Sequence, residues 1–401
     1  MKTFHYIAGG VTAPQGFLAS GLACGLKKSG KPDLALVYSE HVATGAAVFT
    51  TNKVKAAPVL ISQEHLDHPH TRAVLINSAN ANACVGPQGR RDAITIATAA
   101  AALFGIEPDA FFLGSTGVIG VPLPVEPILS ALPTLKTELA PNGGTAAARA
   151  IMTTDTYTKE WAVAYNYDGR EIRIGGMAKG SGMIQPQMAT MLAVVTTDAP
   201  VPKPLLQQAL SSVVGRTFNR ITIDGDTSTN DSVFLLANGA AGGEPVKEGP
   251  ALEAFTQALE EVCRQLAWMI VKDGEGATKF ISVQVTGARS EEEAETAARA
   301  VANSPLVKTA FYGEDANWGR ILAAVGYSGI DFSPAKTEIR LGDLLVYAGQ
   351  GLAFDETVAK SILQAKEVTT EINLNQGEAA ATIWTCDLSQ EYVRINGSYR
   401  S

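Results

Sequence analysis

Lys179-Gly180-Ser181-Gly182-Met183-Ile184-Gln185-Pro186-Gln187-Met188-Ala189-Thr190-Met191-Leu192 is the stretch around which the chain is organised. Two glycines and a proline make its first part a loop. The run that follows, Met191 to Thr197, reads as a buried strand stopped by Asp198-Ala199-Pro200. Thr190 therefore stands at a loop-to-strand junction, behind the small Ala189. A hydroxyl placed there can attack the preceding carbonyl and turn the peptide into an ester. Hydrolysis then leaves Thr190 as a new amino terminus, with nucleophile and base on one residue. A plainer reading stands beside this one, because a β-branched residue suits the start of any strand.

Composition narrows the class. The 401 residues carry a formal charge of −8, are 46% hydrophobic and only 18% charged, which predicts a compact soluble protein of two or three domain-sized units. The mild acidity argues against nucleic-acid binding. Met1 to Tyr6 lacks the apolar core of a signal peptide, and the longest apolar tract, Ala93 to Phe104, is too short to span a bilayer. Cys24, Cys84, Cys263 and Cys386 form no CxxC pair and are expected to be reduced core thiols in a cytoplasm. His65, His68 and His70 surround Pro69, which points to an exposed turn rather than a metal site. All histidines precede residue 71, so most of the chain has no imidazole to serve as a base.

Upstream of the central stretch, Ala35–Tyr38, Ala46–Thr50, Pro58–Ile61 and Ala73–Ile76 read as strands. The last runs into Asn77-Ser78-Ala79-Asn80-Ala81-Asn82-Ala83-Cys84-Val85-Gly86, whose amides either line a polar pocket or, as the favoured reading, close Asx turns. Pro87 to Leu103 reads as an Ala-rich helix stopped at Gly105. Gly114-Ser115-Thr116-Gly117-Val118-Ile119-Gly120 is a loop able to cradle an oxyanion, or an ordinary Gly-rich turn. It has neither the ending of a phosphate loop nor a dinucleotide fingerprint. Gly144 to Met152 is a short helix, and Asp168-Gly169 marks a hairpin that delivers the chain to Lys179. That lysine is a solvated loop charge or, in a pocket, a carboxylate ligand.

Downstream, Pro204 to Val214 is helical in period and Arg220–Ile223 reads as a strand. Asp224-Gly225-Asp226-Thr227-Ser228-Thr229-Asn230-Asp231 has calcium-loop spacing, but Thr229 stands where glycine is needed and no Glu closes the loop, so calcium is rejected. Ser232–Leu236 is a strand, and residues 251–271 form an amphipathic helix ending at Lys272-Asp273-Gly274-Glu275-Gly276. A β-α-β-α-β run over about 281–345 predicts a smaller α/β unit, with a capping box at Ser290 and Glu293.

These segments together resemble the arginine-biosynthesis ornithine acetyltransferases, or glutamate N-acetyltransferases, from residue 5 to residue 401. The likeness rests on Asn77–Gly86, Ser115–Gly120, Lys179–Leu192, Ile223–Asp231, Lys272–Lys279, Gly313–Arg320 and the ending Tyr399-Arg400-Ser401, in that order. Ala79, Ala316 and Ser401 stand where the family often has Gly, Pro and Thr; Ser401 keeps the hydroxyl. The resemblance implies self-cleavage between Ala189 and Thr190, giving an α chain of 1–189 and a β chain of 190–401. It implies Thr190 as acyl carrier and Thr116 with Gly117 as oxyanion hole. The substrate pocket it implies is Thr154, Lys179, Thr190, Glu275, Asn396 and Ser401. The implied fold is α+β: an αββα sandwich built from both products, plus a smaller α/β unit. The implied activity moves acetyl from N2-acetylornithine to L-glutamate, in a cytoplasmic α2β2 assembly with no metal and no cofactor. Whether acetyl-CoA is a further donor stays open. Two rivals are a related self-processing amidase or aminopeptidase, with water as acceptor, and an amino-acid-binding protein that never cleaves.

Overall fold

The computed structural model describes residues 4–185 and 191–398. The chain divides into two units, the first being Met1–Asn219 with Asp226–Ile270 and the second Arg220–Gly225 with Val271–Ser401. In chain order the first unit contains β1 (Phe4–Tyr6), β2 (Phe17–Leu22), β3 (Leu34–Phe49), α1 (Ala57–His65), β4 (Thr71–Asn77), α2 (Pro87–Phe104), β5 (Phe111–Ser115) and α3 (Val125–Thr137). It continues with α4 (Gly144–Ile151), β6 (Lys159–Tyr167), β7 (Arg170–Lys179), β8 (Leu192–Thr197), α5 (Lys203–Arg216), β9 (Ser232–Ala237) and α6 (Pro250–Lys272).

The strand order is β1-β6-β7-β8-β9-β3-β4-β5, with β2 on the free side of β3. The long β3 makes this two sheets. Its first half, Leu34–Tyr38, pairs with β2 and β4, and its second half, Thr44–Phe49, pairs with β9. The sequence reading of two short strands is thus one strand whose ladder to β4 is interrupted between Tyr38 and Ala43. Period-two alternation then sorts the side chains. Val74, Ile76 and Phe112 face Met177, Leu192, Val194, Phe234 and Leu236 in the layer between the sheets. Phe112 stacks on Phe234 at 5.2 Å. Leu75, Phe111 and Leu113 face the other way, onto α1, α2 and α3. On the far side, Leu266 of α6 packs over Gly176 and Gln207 of α5 clasps Ala47. The layers are helix, sheet, sheet, helix: an αββα sandwich.

Local chemistry accounts for where sequence reading succeeded and failed. Asp168 (φ 50°) and Gly169 (φ 72°) are both left-handed, as a two-residue hairpin turn demands. Pro58–Ile61, read as a strand, belongs to α1, because Pro58 opens the helix where no N–H is needed. Arg220–Ile223, also read as a strand, is a 3-10 turn at Phe218–Arg220 followed by one bridge from Ile221 to Trp384.

The second unit contains β10 (Phe280–Ala288), α7 (Glu291–Asn303), α8 (Pro305–Tyr312), α9 (Trp318–Gly326), β11 (Glu338–Leu341), β12 (Leu344–Ala348), α10 (Glu356–Leu363), β13 (Glu367–Asn373), β14 (Ala379–Cys386) and α11 (Gln390–Gly397). Its sheet runs β12-β11-β13-β10-β14, parallel only between β10 and β13. Ile281, Val283, Val285, Ile372 and Ile383 form one core with the apolar faces of α7, α8, α9 and α10. The β-α-β-α-β run expected over about 281–345 needs Leu306–Tyr312 as its middle strand, but this segment is helical: the Ser304 hydroxyl accepts the Val307 N–H and Pro305 takes the first position. The unit is also wider than 281–345, since β10 is paired on both sides by strands that follow residue 345.

Candidate active site

Parallel pairing of β4 with β5 ends at Asn77 opposite Ser115, so the two loops leave the sheet side by side. The amides of the first loop close turns, as favoured: Asn77 Nδ2 donates to Asn80 O at 2.9 Å and Asn80 Oδ1 accepts the Asn82 N–H at 2.7 Å. The second loop is moulded onto it. Thr116 N–H donates to Asn77 O and Val118 N–H to Ala79 O. Gly117 has φ 133°, and a Cβ there would sit 2.2 Å from the Ala79 carbonyl carbon, so only glycine fits. Asn230, just ahead of β9, ties both loops by donating to Ala81 O and Ser115 O. Because the Thr116 N–H is engaged, what this loop offers a ligand is the Thr116 hydroxyl and the Gly117 N–H.

Lys179 ends β7 and reaches that loop, with Nζ 3.3 Å from Thr116 Oγ1. Thr154 forms a 2.7 Å hydrogen bond with Ser181, two residues beyond Lys179. Beneath them lies Asp155. It forms a wholly buried pair with Lys159 at 2.6 Å and accepts the N–H groups of Gly180 (2.7 Å) and Thr153 (2.9 Å). Burial works to raise this carboxyl, but the charges of Lys159 and Lys179 and the Gly180 N–H outweigh it and hold it down at about 2.

Asp231 immediately precedes β9, and parallel pairing of Leu192 with Ser232 puts it level with Met191. Burial drives its carboxyl well above the ordinary range, against the pull of Lys179, Ser228 and the Met191 N–H. Its Oδ2 has no hydrogen-bond partner among the described residues.

In the second unit, Glu275 is buried at 7% exposure and accepts a 2.7 Å hydrogen bond from Asn396 of α11. Gly276 (φ 71°) lets the chain pass Tyr392, whose N would lie 2.6 Å from a Cβ, and Ser389 Oγ donates to Gly276 O. Glu275 and Asn396 are therefore brought together, as Thr116 and Lys179 are in the first unit. Ala189, Thr190 and Ser401 lie outside the described residues.

A family model described as the ArgJ family matches residues 18–401. The chain belongs to the ArgJ family. It is 51% identical to the arginine biosynthesis bifunctional protein ArgJ of Symbiobacterium thermophilum, over 99% of this chain and 100% of that protein. It is 50% identical to the protein of that name from Caldanaerobacter subterraneus subsp. tengcongensis, over 98% of this chain and 99% of the relative. Among solved structures, the ArgJ protein of Bacillus halodurans is similar with a TM-score of 0.51 and 46% identity, covering 52% of this chain and all of the solved one. This ArgJ-family chain is an acetyltransferase of arginine biosynthesis, with small molecules as substrates. Among its described residues no helix is long and apolar enough to cross a membrane.

Other expectations meet the structure unevenly. Cys263 and Cys386 are buried, but Cys84 is exposed, because it stands at φ 59° on the Asn loop rather than in the core. His68 faces Asp109 at 3.4 Å and the His70 carbonyl, and no group of metal-ligating side chains occurs among the described residues. Sequence reasoning passed over Asp155, Lys159 and Asp231. Each had a signal: Asp155 and Lys159 are four apart on the way into a strand, and Asp231 abuts the apolar run Val233–Leu236.

Proposed function

We propose that this chain cuts itself between Ala189 and Thr190 and then moves acetyl from N2-acetylornithine to L-glutamate through an ester on Thr190. The observation that carries this reading is the meeting of Lys179 with Thr116, across 63 positions of sequence, at the end of the strand that leads into the Thr190 loop. In the first half-reaction the Thr190 oxygen attacks the acetamide carbon and its proton passes to the residue's own α-amine. The C–N bond breaks, and ornithine leaves carrying that proton. In the second, the glutamate amine attacks the ester, the C–O bond breaks, and the Thr190 hydroxyl is restored.

An α-amine titrates near 7.7–8.0 in free peptides, and the Lys179 cation favours its neutral form, so no imidazole is required. Positioned base help of this kind contributes ~10²–10⁴-fold. The Thr116 hydroxyl and Gly117 N–H would receive the tetrahedral oxyanion, at roughly 2.7–4 kcal/mol per donor. Lys179 or, as the alternative, the Asn396 and Ser401 region is proposed to hold the α-carboxylate common to both substrates. Glu275 is proposed to take the ornithine δ-ammonium, and Thr154 to contact substrate. The half-length match to the solved Bacillus halodurans chain supports a cut near the middle.

The assembly we propose is α2β2 and cytoplasmic, with no cofactor. The word "bifunctional" in the relatives' names supports a second donor, for which acetyl-CoA is the proposal. Thr190→Ala is expected to give a single uncut polypeptide by intact mass and no transfer of acetyl to glutamate. Two fragments, or residual transfer, would overturn the nucleophile assignment. An assay with acetyl-CoA and glutamate decides the second donor.

A further inference from the structure

The loop between β2 and β3 carries three lysines in five residues, Lys27-Lys28-Ser29-Gly30-Lys31, in a chain whose net charge is −8. The mechanism proposed above gives it no task. Strand register puts it at the same end of the sheet as the Thr116 loop: Leu34 pairs with Asn77, and Asn77 pairs with Ser115. The lysine loop, the Asn loop and the Thr116 loop therefore join three neighbouring strands at one level, with adjacent strands about 4.8 Å apart.

The lysine loop is held in place. Asp33, wholly buried, accepts the Cys24 N–H at 2.7 Å and the Lys27 N–H at 2.8 Å, and its carbonyl accepts the Ser78 N–H of the Asn loop at 2.8 Å. Lys27 Nζ donates to Pro32 O at 2.6 Å and to Met152 O at 2.8 Å, on the way into Thr154. Burial pushes the Lys27 ammonium below its ordinary range, Asp33 and Asp155 work against that, and Lys31 and Lys179 add to it, so the loop and Lys179 lie within electrostatic reach. Lys28 and Lys31 have no such ties. Lys28 is half-buried, Lys31 is exposed, and among the described residues neither has a carboxylate partner. Between them Gly30 turns the chain at φ 70°, its N–H donating to Lys27 O at 3.0 Å, and a Cβ there would meet nothing within 4 Å. The Lys28 and Ser29 N–H groups and the Ser29 hydroxyl make no hydrogen bond among the described residues. A fixed turn that presents ammonium groups, unengaged N–H groups and a hydroxyl to open space is suited to phosphate oxygens.

We propose that the Lys28–Lys31 turn binds the phosphate groups of a coenzyme A thioester. This rests on the reading of acetyl-CoA as the second donor. In that reaction the thioester C–S bond breaks, the glutamate nitrogen gains the acetyl group, and the proton it gives up leaves on the thiol. The diphosphate and the ribose phosphate lie at the far end of the pantetheine arm from the reacting carbon. A cationic anchor with the Asn loop between it and the Thr116 loop suits that separation: it grips the anionic end while the arm carries the acetyl group to the proposed oxyanion donors. N2-acetylornithine has no phosphate and makes no use of the turn.

The test is steady-state acetyl transfer to L-glutamate by the purified protein from acetyl-CoA, from S-acetylpantetheine, which keeps the thioester and lacks every phosphate, and from N2-acetylornithine. The double variant Lys28→Glu with Lys31→Glu is expected to raise the KM for acetyl-CoA about tenfold or more. Its KM for S-acetylpantetheine and its rate with N2-acetylornithine should match wild type, which a merely structural role would not allow. A KM for acetyl-CoA within about threefold of wild type, the range of ordinary surface charges, overturns the proposal. So does an equal loss with all three donors when the far-ultraviolet spectrum is unchanged. Where the spectrum changes, Lys28→Gln with Lys31→Gln is held to the same contrast between donors. A second readout needs no variant: added salt should raise the wild-type KM for acetyl-CoA and leave that for S-acetylpantetheine alone, because it screens exposed charges; an acetyl-CoA KM indifferent to salt overturns the proposal. If wild type takes acetyl from N2-acetylornithine but from neither thioester, the second-donor reading fails and this proposal with it. If acetyl-CoA serves wild type and the charge-reversed variant alike, only the role of the turn fails.

Discussion

Two buried carboxyls feel the same Lys179 charge and respond in opposite directions. Asp155 has a second lysine at 2.6 Å and two backbone N–H groups, and it is held at about 2. Among the described residues Asp231 has no second cation and has an unpartnered oxygen, and burial carries it upward. Both have lost water; only Asp155 has been given a full set of replacements. The lesson is that burial exacts its penalty everywhere, and local partners decide whether a carboxyl becomes a fixed anion or a proton store. Asp155 anchors the backbone at Gly180, where the loop between β7 and β8 begins. Asp231 faces the strand where that loop ends.

The strongest blow to this contrast is Lys159→Met. It leaves Asp155 buried without its close counter-charge and is expected to cost ~3–5 kcal/mol in denaturant-induced unfolding; a loss below about 1 kcal/mol would make the two carboxyls alike. Next comes acid. The ordinary value for Asp155 is 3.8 and the folded one is about 2. Its contribution, on the order of 2 kcal/mol, is fully present above the ordinary value and lost as pH falls through the folded one. The difference in unfolding free energy between wild type and Asp155→Asn should shrink over that window. For Asp231 the sign reverses. The native state binds its proton more tightly, so stability falls as pH rises from the ordinary range toward the raised one, and Asp231→Asn should abolish that decline. The smallest effect on stability is expected for Glu275→Gln, under about 1 kcal/mol, because the partner Asn396 is exposed and the bond is single. Its KM for N2-acetylornithine should nonetheless rise about tenfold or more, as loss of a charge-assisted hydrogen bond worth ~1.5–3 kcal/mol implies. Equal effects on KM and on self-cleavage rate would make Glu275 a structural residue.

What was legible in the sequence is what short-range chemistry decides. Asp168-Gly169 announced its turn, Gly105 its helix end and Ser290 its helix start, each by a preference that acts within a few residues. Pro58–Ile61 and Leu306–Tyr312 were misread because short apolar runs carry no period, and the proline at the start of each was the better guide. The Thr116 loop and Lys179 were open to a functional reading from the residues, the resemblance assigned roles to them and to Glu275 and Asn396, and the fold pairs Thr116 with Lys179 and Glu275 with Asn396. Asp155 and Asp231 were invisible as a contrast, because one is set by a strand-start lysine and the other by register between β8 and β9. The four-residue spacing of Asp155 and Lys159 and the apolar run after Asp231 mark the residues, but not the partners that set them apart.

The strand order has one more consequence. β8 and β9 follow residue 190, yet they lie side by side with β7 and β3 on their flanks, and both of those precede it. A break before residue 190 therefore frees nothing. The later fragment stays woven into the earlier one along Ile174–Lys179 on one edge and Thr44–Phe49 on the other. Prising the two pieces apart means tearing both ladders and opening the aromatic stack of Phe112 on Phe234. A single peak in native chromatography that splits only under denaturant is the behaviour such a weave dictates.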